Sequence, residues 1–295
     1  MRLAAIDIGS NAARLLIAEI IEKEDGTVET NKLNLIRVPF RLGMDVFNKG
    51  KIGKQREKML VETLQAFGHL MSAYSVDKYR ACATSAMRDA KNSKEILQAV
   101  KRTSKLDIEI ISGDEEASLV FETHITDKLD ASKSYLYIDV GGGSTELSLF
   151  SDGRHIYRKS FNIGTIRLLS GLVKEKDWDN MEREIKEQVN DKEHELIGIG
   201  SGGNINKVFS LTKKKDGKMI SVSTLKSYLK DMEKMTVGER MKEYNFKEDR
   251  ADVIVPALEI YTKVARWAGI HEMYVPKIGV ADGLIHQLYE TERRK

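Results

Sequence analysis

The chain has 295 residues, 41% of them hydrophobic and 32% charged, with a formal net charge of +3. That length is long for one compact core and suits two domains. The mild charge gives no argument for nucleic acid, no apolar run reaches the roughly 18 residues of a membrane span, and Asp7 interrupts the N-terminal apolar stretch before it reads as a secretory segment; the cytoplasm is the expected location.

In chain order, residues 2–8 and "RLLIAEII" read as two strands joined by "GSNAA", and "LNLIRVPFRL" (33–42) as a third, an N-terminal meander. "KQREKMLVETLQAFGHLMSAYSV" carries apolar residues at helical spacing. "KYRACATSAM" reads as a strand ending in small polar residues, and "NSKEILQAVKRTSK" as a helix capped by Asn92 or Ser93. "LDIEIIS" reads as a strand. "SGDEEASLVFETHI" reads as a helix whose Ser112 and Glu115 fit a capping box. Then the opening pattern recurs: "KSYLYIDV", a turn, "TELSLF", a tight turn, "HIYRKSFNI". "DNMEREIKEQVNDK" is helical, and "ELIGIGSGGNINKVFSL" reads as a strand, a glycine-rich turn and a helix start. The remainder is mostly helical, closing with the strand "EMYVPKIGV" and the helix "DGLIHQLYETER". Alternating strands and helices in both halves predict an α/β fold.

The single cysteine, Cys82, has no partner for an internal disulfide, and its apolar surroundings predict a buried, inert thiol. The six histidines form no H-E-x-x-H pair and no cluster with cysteine, so no zinc site is expected. Basic runs at 49–58, 211–218 and the C-terminal "ERRK" read as solvated surface or as a landing strip for a polyanion.

The strongest signal is an internal repeat. "AIDIGSNAARLLIAE" aligns with "YIDVGGGSTELSLFS" at a constant offset: Asp7 with Asp139, Gly9 with Gly141, Ser10 with Gly142, Asn11 with Gly143. Each copy is a strand, an aspartate, a glycine, small residues and a second strand, so the chain reads as a duplicated domain. The chemistry suits phosphate. Small residues let successive backbone N–H groups close on an anion, hydroxyls add donors, and the aspartate can bind a divalent cation that neutralises phosphate. Two such turns facing each other would hold a phosphate chain between them.

The segments "AIDIGSNAARLLI", "ATSAMRDAKN", "ISGDEEASLVF", "IDVGGGSTEL", "NIGTIRLL", "IGSGGNI" and "DRADVIVPAL" resemble, in order, the exopolyphosphatase / guanosine pentaphosphate phosphohydrolase (Ppx/GppA) family. The resemblance covers residues 1 to about 285. It implies two RNase H-like domains of the actin, Hsp70 and sugar kinase superfold flanking a cleft. These are expected at 1–124 and 125–295, with the helix at about 281–295 a candidate to pack back on the first. The chain looks like the short two-domain form, since no His-Asp dipeptide marks an appended metal-dependent domain.

On the residues alone, Glu115 and Glu116 are better read as complementing a helix dipole; the resemblance makes Glu116 the carboxylate that positions or activates water. It likewise implies a phosphate-side role for Arg88, otherwise equally a solvated helix-start arginine. The backbone donors are expected from Gly9, Ser10 and Asn11 and from Gly141, Gly142, Gly143, Ser144 and Thr145. The metal contacts are expected from Asp7, Asp139 and Glu146, with Glu146 also a candidate for the water, and the cofactor is Mg2+ or another divalent cation. The implied reaction is hydrolysis of the terminal phosphoanhydride of polyphosphate. The alternatives are guanosine pentaphosphate (pppGpp) 5′-phosphohydrolysis and a non-catalytic polyphosphate or alarmone sensor; a sugar-kinase activity fits the glutamate motif less well. The partners expected are the substrate, with a homodimer left open and neither nucleic acid nor membrane. Three departures bear on substrate length and nucleotide preference: Ala12 where the family commonly has serine, "DGLIHQL" where many members carry "GLREG", and "GSGGN" in the third loop (198–204), which could bind guanosine, support the chain or close a helix onto a sheet.

Overall fold

The computed structural model describes residues 1–121, 130, 132–189, 195–276 and 278–294. The chain divides into two compact units, Met1–Thr123 with Gly279–Lys295, and His124–Ile278. The expected boundary between 124 and 125 lies outside the described residues. Among the described residues no helix is long and apolar enough to cross a membrane.

The first unit opens with strands β1 (Arg2–Ile8), β2 (Ala13–Glu22) and β3 (Val28–Val38). Helices α1 (Leu42–Lys49) and α2 (Lys54–Ala73) follow, then β4 (Lys78–Ala83), α3 (Ser85–Asp89), α4 (Ser93–Ser104), β5 (Glu109–Ile110) and α5 (Gly113–Phe121). Its sheet runs β3-β2-β1-β4-β5, antiparallel through the meander and parallel from β1 to β4 and β5. β1 is central and buried along nearly its whole length, which is why "LAAIDI" is apolar without alternation. One sheet face packs on α2 through Leu60, Leu64, Phe67 and Met71, spaced at helical intervals.

The second unit contains β6 (Ser134–Val140), β7 (Thr145–Ser151), β8 (Arg154–Phe161), α6 (Thr165–Leu169), α7 (Glu175–Gln188), β9 (Leu196–Ser201) and α8 (Gly203–Leu211). It continues with β10 (Ile220–Ser221), α9 (Val222–Glu233), α10 (Val237–Tyr244), α11 (Glu248–Ala251), α12 (Ile254–Ala268) and β11 (Glu272–Tyr274). The last helix, α13 (Val280–Arg293), belongs to the first unit. The second sheet runs β10-β11-β9-β6-β7-β8 and repeats the plan: an antiparallel meander whose first strand, β6, pairs in parallel with the next, β9. α12 lies in this unit's core, with Leu258, Tyr261, Val264 and Ala265 all buried.

Several elements differ from the sequence expectation. The third strand runs 28–38 rather than 33–42: Pro39 has no N–H to continue the ladder, and Arg41, in the left-handed region at φ 54°, starts the unpredicted helix α1. "KYRACATSAM" divides into β4 and α3, and "LDIEIIS" keeps only two ladder residues. Asn92 occupies the α4 cap without capping it. Its side chain instead accepts from the Ile52 N–H at 2.9 Å and donates to the Ile52 carbonyl at 2.9 Å. The capping box of α5 is half formed: Ser112 Oγ accepts from the Glu115 N–H at 3.1 Å, but the Glu115 carboxylate turns to Arg80 at 3.0 Å.

Candidate active site

The second loop, 141–144, is held from beneath. Gly141 donates its N–H to the Ser144 carbonyl at 2.9 Å, closing the turn. The loop's carbonyls are tied to the segment that starts α6: Gly141 O accepts from Thr165 N–H at 3.0 Å, Gly142 O from Ile166 N–H at 2.8 Å and Gly143 O from Arg167 Nε at 2.7 Å. Gly164 makes this contact possible, because a Cβ there would sit 2.5 Å from Gly142 O and from Ser144 N. With their carbonyls held below, the Gly142 and Gly143 N–H groups have no acceptor among the described residues. Successive free backbone donors of this kind form an anion nest. Thr145 is fully buried and donates its hydroxyl to the Ile163 carbonyl at 2.6 Å, so it braces the loop.

The first loop is built the same way by a different segment. Gly9 N–H closes the turn on the Ala12 carbonyl at 3.0 Å, Ser10 O accepts from Gly43 N–H at 2.9 Å and Asn11 O from Arg41 N–H at 2.8 Å. "FRLG" (40–43) thus does for this loop what "NIGTIR" does for the other. Ser10 Oγ shares a buried 2.7 Å hydrogen bond with Ser85 Oγ at the start of α3, the helix that carries Arg88. Arg88 donates one N–H to the Ile111 carbonyl at 2.6 Å; its remaining donors have no partner among the described residues.

Glu116 lies in the first turn of α5, its N–H donated to the Ser112 carbonyl at 3.0 Å. On the sheet beneath, Asp7 and Cys82 are register partners of β1 and β4. Burial pushes the Cys82 thiol well up, and the nearby Asp7 and Glu116 carboxylates add to it. The first unit therefore gathers Asp7, Cys82 and Glu116 on one side of its sheet.

The aspartates sit in unlike company. Asp7 faces Arg14 across β1 and β2, with Arg14 Nη1 2.7 Å from Asp7 Oδ2. Asp139 faces Glu146 across β6 and β7, and Ser160 Oγ donates to Glu146 Oε1 at 2.8 Å. Directly opposed residues share a face and lie close. Among the described residues no group of three or more His, Cys, Asp or Glu side chains could hold a metal ion by itself. Two adjacent carboxylates do suit a cation that takes its other ligands from water and substrate phosphates, the usual habit of Mg2+.

The third glycine-rich loop supports the second. Gly202, at φ 108°, lies where a Cβ would meet Asp139 Oδ1 and Val140 O, each at 3.2 Å. Tyr261 donates its hydroxyl to the Ser201 carbonyl. Burial pushes the Tyr261 phenol well up, and the Asp139 carboxylate adds to it. The loop-bracing residues Gly164, Arg167, Gly43 and Gly202 were not expected as site residues, though "NIGTIRLL" and "IGSGGNI" were among the segments of the family resemblance.

The profile of the Ppx/GppA phosphatase family matches residues 20–292. A bifunctional 3-dehydroquinate synthase/phosphatase of Fusobacterium nucleatum is 32% identical over 251 residues, covering 76% of this chain and 36% of that protein. A putative exopolyphosphatase of Haemophilus influenzae is 22% identical, covering 97% of this chain and 91% of the relative. This chain thus spans nearly the whole Haemophilus protein but only about a third of the Fusobacterium one. Among solved structures, an exopolyphosphatase from Cytophaga hutchinsonii shares the fold with a TM-score of 0.84 at 22% identity, covering 99% of this chain and 98% of that one. The Aquifex aeolicus Ppx/GppA family member does so with a TM-score of 0.76 at 24% identity, covering 100% and 99%. With the duplicated meander and loop in each unit, the family profile over residues 20–292 establishes that the chain belongs to the Ppx/GppA phosphatase family.

Proposed function

We propose that the protein hydrolyses the terminal phosphoanhydride bond of inorganic polyphosphate and releases orthophosphate from chain ends. The observation that carries this reading is the second loop, whose Gly142 and Gly143 N–H groups are left for an external acceptor while their carbonyls are held by the residues starting α6. A phosphoryl oxygen satisfies such donors. Each unit has donors of its own: Ser144 in the second, and in the first the backbone of Ser10 and Asn11 and the Arg88 guanidinium, the last as a fork suited to phosphoryl oxygens. Gly9, Gly141 and Thr145 shape the turns, since their N–H or hydroxyl groups have internal acceptors.

Glu116 positions the water that attacks the terminal phosphorus in line and accepts its proton. The bond from that phosphorus to the bridging oxygen breaks, and the shortened chain leaves with the negative charge. Asp139 and Glu146 would hold Mg2+ or another divalent cation, which supplies charge neutralisation of the phosphoryl oxygens when bound. Asp7, already neutralised by Arg14, holds the first loop in this scheme rather than the cation. The names of the Haemophilus and Cytophaga relatives support the substrate class.

The test compares phosphate release, as kcat/KM with Mg2+, from long polyphosphate, tripolyphosphate and guanosine pentaphosphate. The expected result is the highest value for polyphosphate. A higher value for the nucleotide would make the protein a pentaphosphate phosphohydrolase, and binding without release from any of them would make it a sensor.

A further inference from the structure

The geometry points to Gly283 as a positioning residue for Glu116: its bare Cα lets α13 lie directly on the backbone of α5. The inference rests on the reading of Glu116 given above. A Cβ at Gly283 would sit 1.9 Å from the Leu119 carbonyl oxygen and 2.4 Å from its carbon, both backbone atoms that no rotamer change can clear. Leu119 follows Glu116 by one helical turn, so a shift of its backbone moves the carboxylate.

α13 itself has little room to give way. Near its start Asp282 pairs with Lys32 of β3 at 2.5 Å, and toward its end Tyr289 donates to Glu22 of β2 at 2.8 Å. Between them Gln287, one turn after Gly283 and on the same face, accepts from Arg80 of β4. Arg80 also pairs with Glu115, the neighbour of Glu116, at 3.0 Å. One face of α13 therefore meets α5 twice, by direct backbone contact at Gly283 and through Arg80 at Gln287. With α13 anchored to three strands, α5 is the element that must yield to an added methyl group.

The test is Gly283→Ala, assayed for polyphosphate hydrolysis and thermal unfolding. Alanine is the better helix former, so any loss of stability comes from the clash and not from helix propensity. A misplacement of about 1 Å is enough for a rate loss on the order of 100-fold. The expected result is kcat down at least tenfold and KM within twofold, with Tm lowered as α5 shifts; kcat within twofold of wild type would overturn the inference. Should Gly283→Ala fail to fold, Gln287→Ala removes the other contact without a clash. It is expected to lower kcat severalfold at unchanged KM and Tm, and an unchanged kcat would overturn the inference. An independent readout separates this from the proposed activity. The carboxyl carbon resonance of Glu116, assigned by its loss in Glu116→Gln, is expected to shift in the variant even if wild type releases no phosphate, and an unshifted resonance would overturn the positioning role alone.

Discussion

In the first unit Asp7 faces Arg14 across β1 and β2; at the corresponding place in the second, Asp139 faces Glu146 across β6 and β7. The backbone plan is the same in both, down to a glycine N–H closing each turn and a later segment holding the loop carbonyls from below. The charges differ. An arginine against a buried aspartate is neutral by itself and ties β1 to β2 beside the loop. Two carboxylates side by side disfavour joint ionisation unless a cation or a proton joins them. The two turns share one plan, and one side-chain position is arginine in one copy and glutamate in the other; on the proposed reading this difference makes the first a structural half and the second a chemical one.

Breaking the second pair should act on activity far more than on stability. Glu146→Gln keeps an acceptor for Ser160 but removes a charge; we expect turnover to fall on the order of 10³-fold with Tm unchanged or raised, measured by phosphate release and thermal melting. A comparable drop in Tm would put Glu146 with Asp7 as a structural residue. Gly164→Ala should come next, since it forces the second loop off its support. A displacement of about 1 Å would lower kcat/KM on the order of 100-fold, and near wild-type kinetics would show that the loop does not depend on this contact.

Breaking the first pair should invert the pattern. Arg14→Met leaves Asp7, 4% exposed in its side chain, as a buried charge without its partner. Because Arg14 is itself 34% exposed, the loss should be roughly 2 kcal/mol, below that of a fully buried pair; denaturant unfolding measures it, and an unchanged midpoint would remove the structural role of the pair. The smallest effect concerns Cys82 beside Asp7. Its thiol is raised in the folded state, so above the ordinary thiol range the unfolded chain ionises while the folded chain keeps its proton. The group's contribution to stability is present below that range and falls as pH rises. Native protein should react with a thiol reagent only on unfolding, and rapid labelling of the native state would contradict the burial.

The repeat was legible because each copy is a local pattern: two strands, an aspartate and small residues within fifteen positions. The amphipathic spacing of α2 was legible for the same reason. What holds the loops was not, because "FRLG" and "NIGTIR" act at a distance in sequence and a hydrogen bond to a carbonyl leaves no composition signal. Asn92 shows the limit of cap signals: a suitable residue at the right position turned to the backbone of Ile52. Glu115 shows the same, drawn from its box by Arg80 from another strand. The basic run at 49–58 read as surface or as a polyanion track; its exposed Lys54 and Lys58 pair with Glu57 and Glu62, while Arg56 is drawn inward to the buried Asp45.

In the proposed reaction Glu116 is the carboxylate that makes bound phosphate react. The most direct test measures polyphosphate binding and phosphate release by Glu116→Gln beside wild type under the same Mg2+ concentration. The expected result is binding within about threefold, a change under 1 kcal/mol, and release reduced to the detection limit; release near the wild-type rate would contradict the role of Glu116.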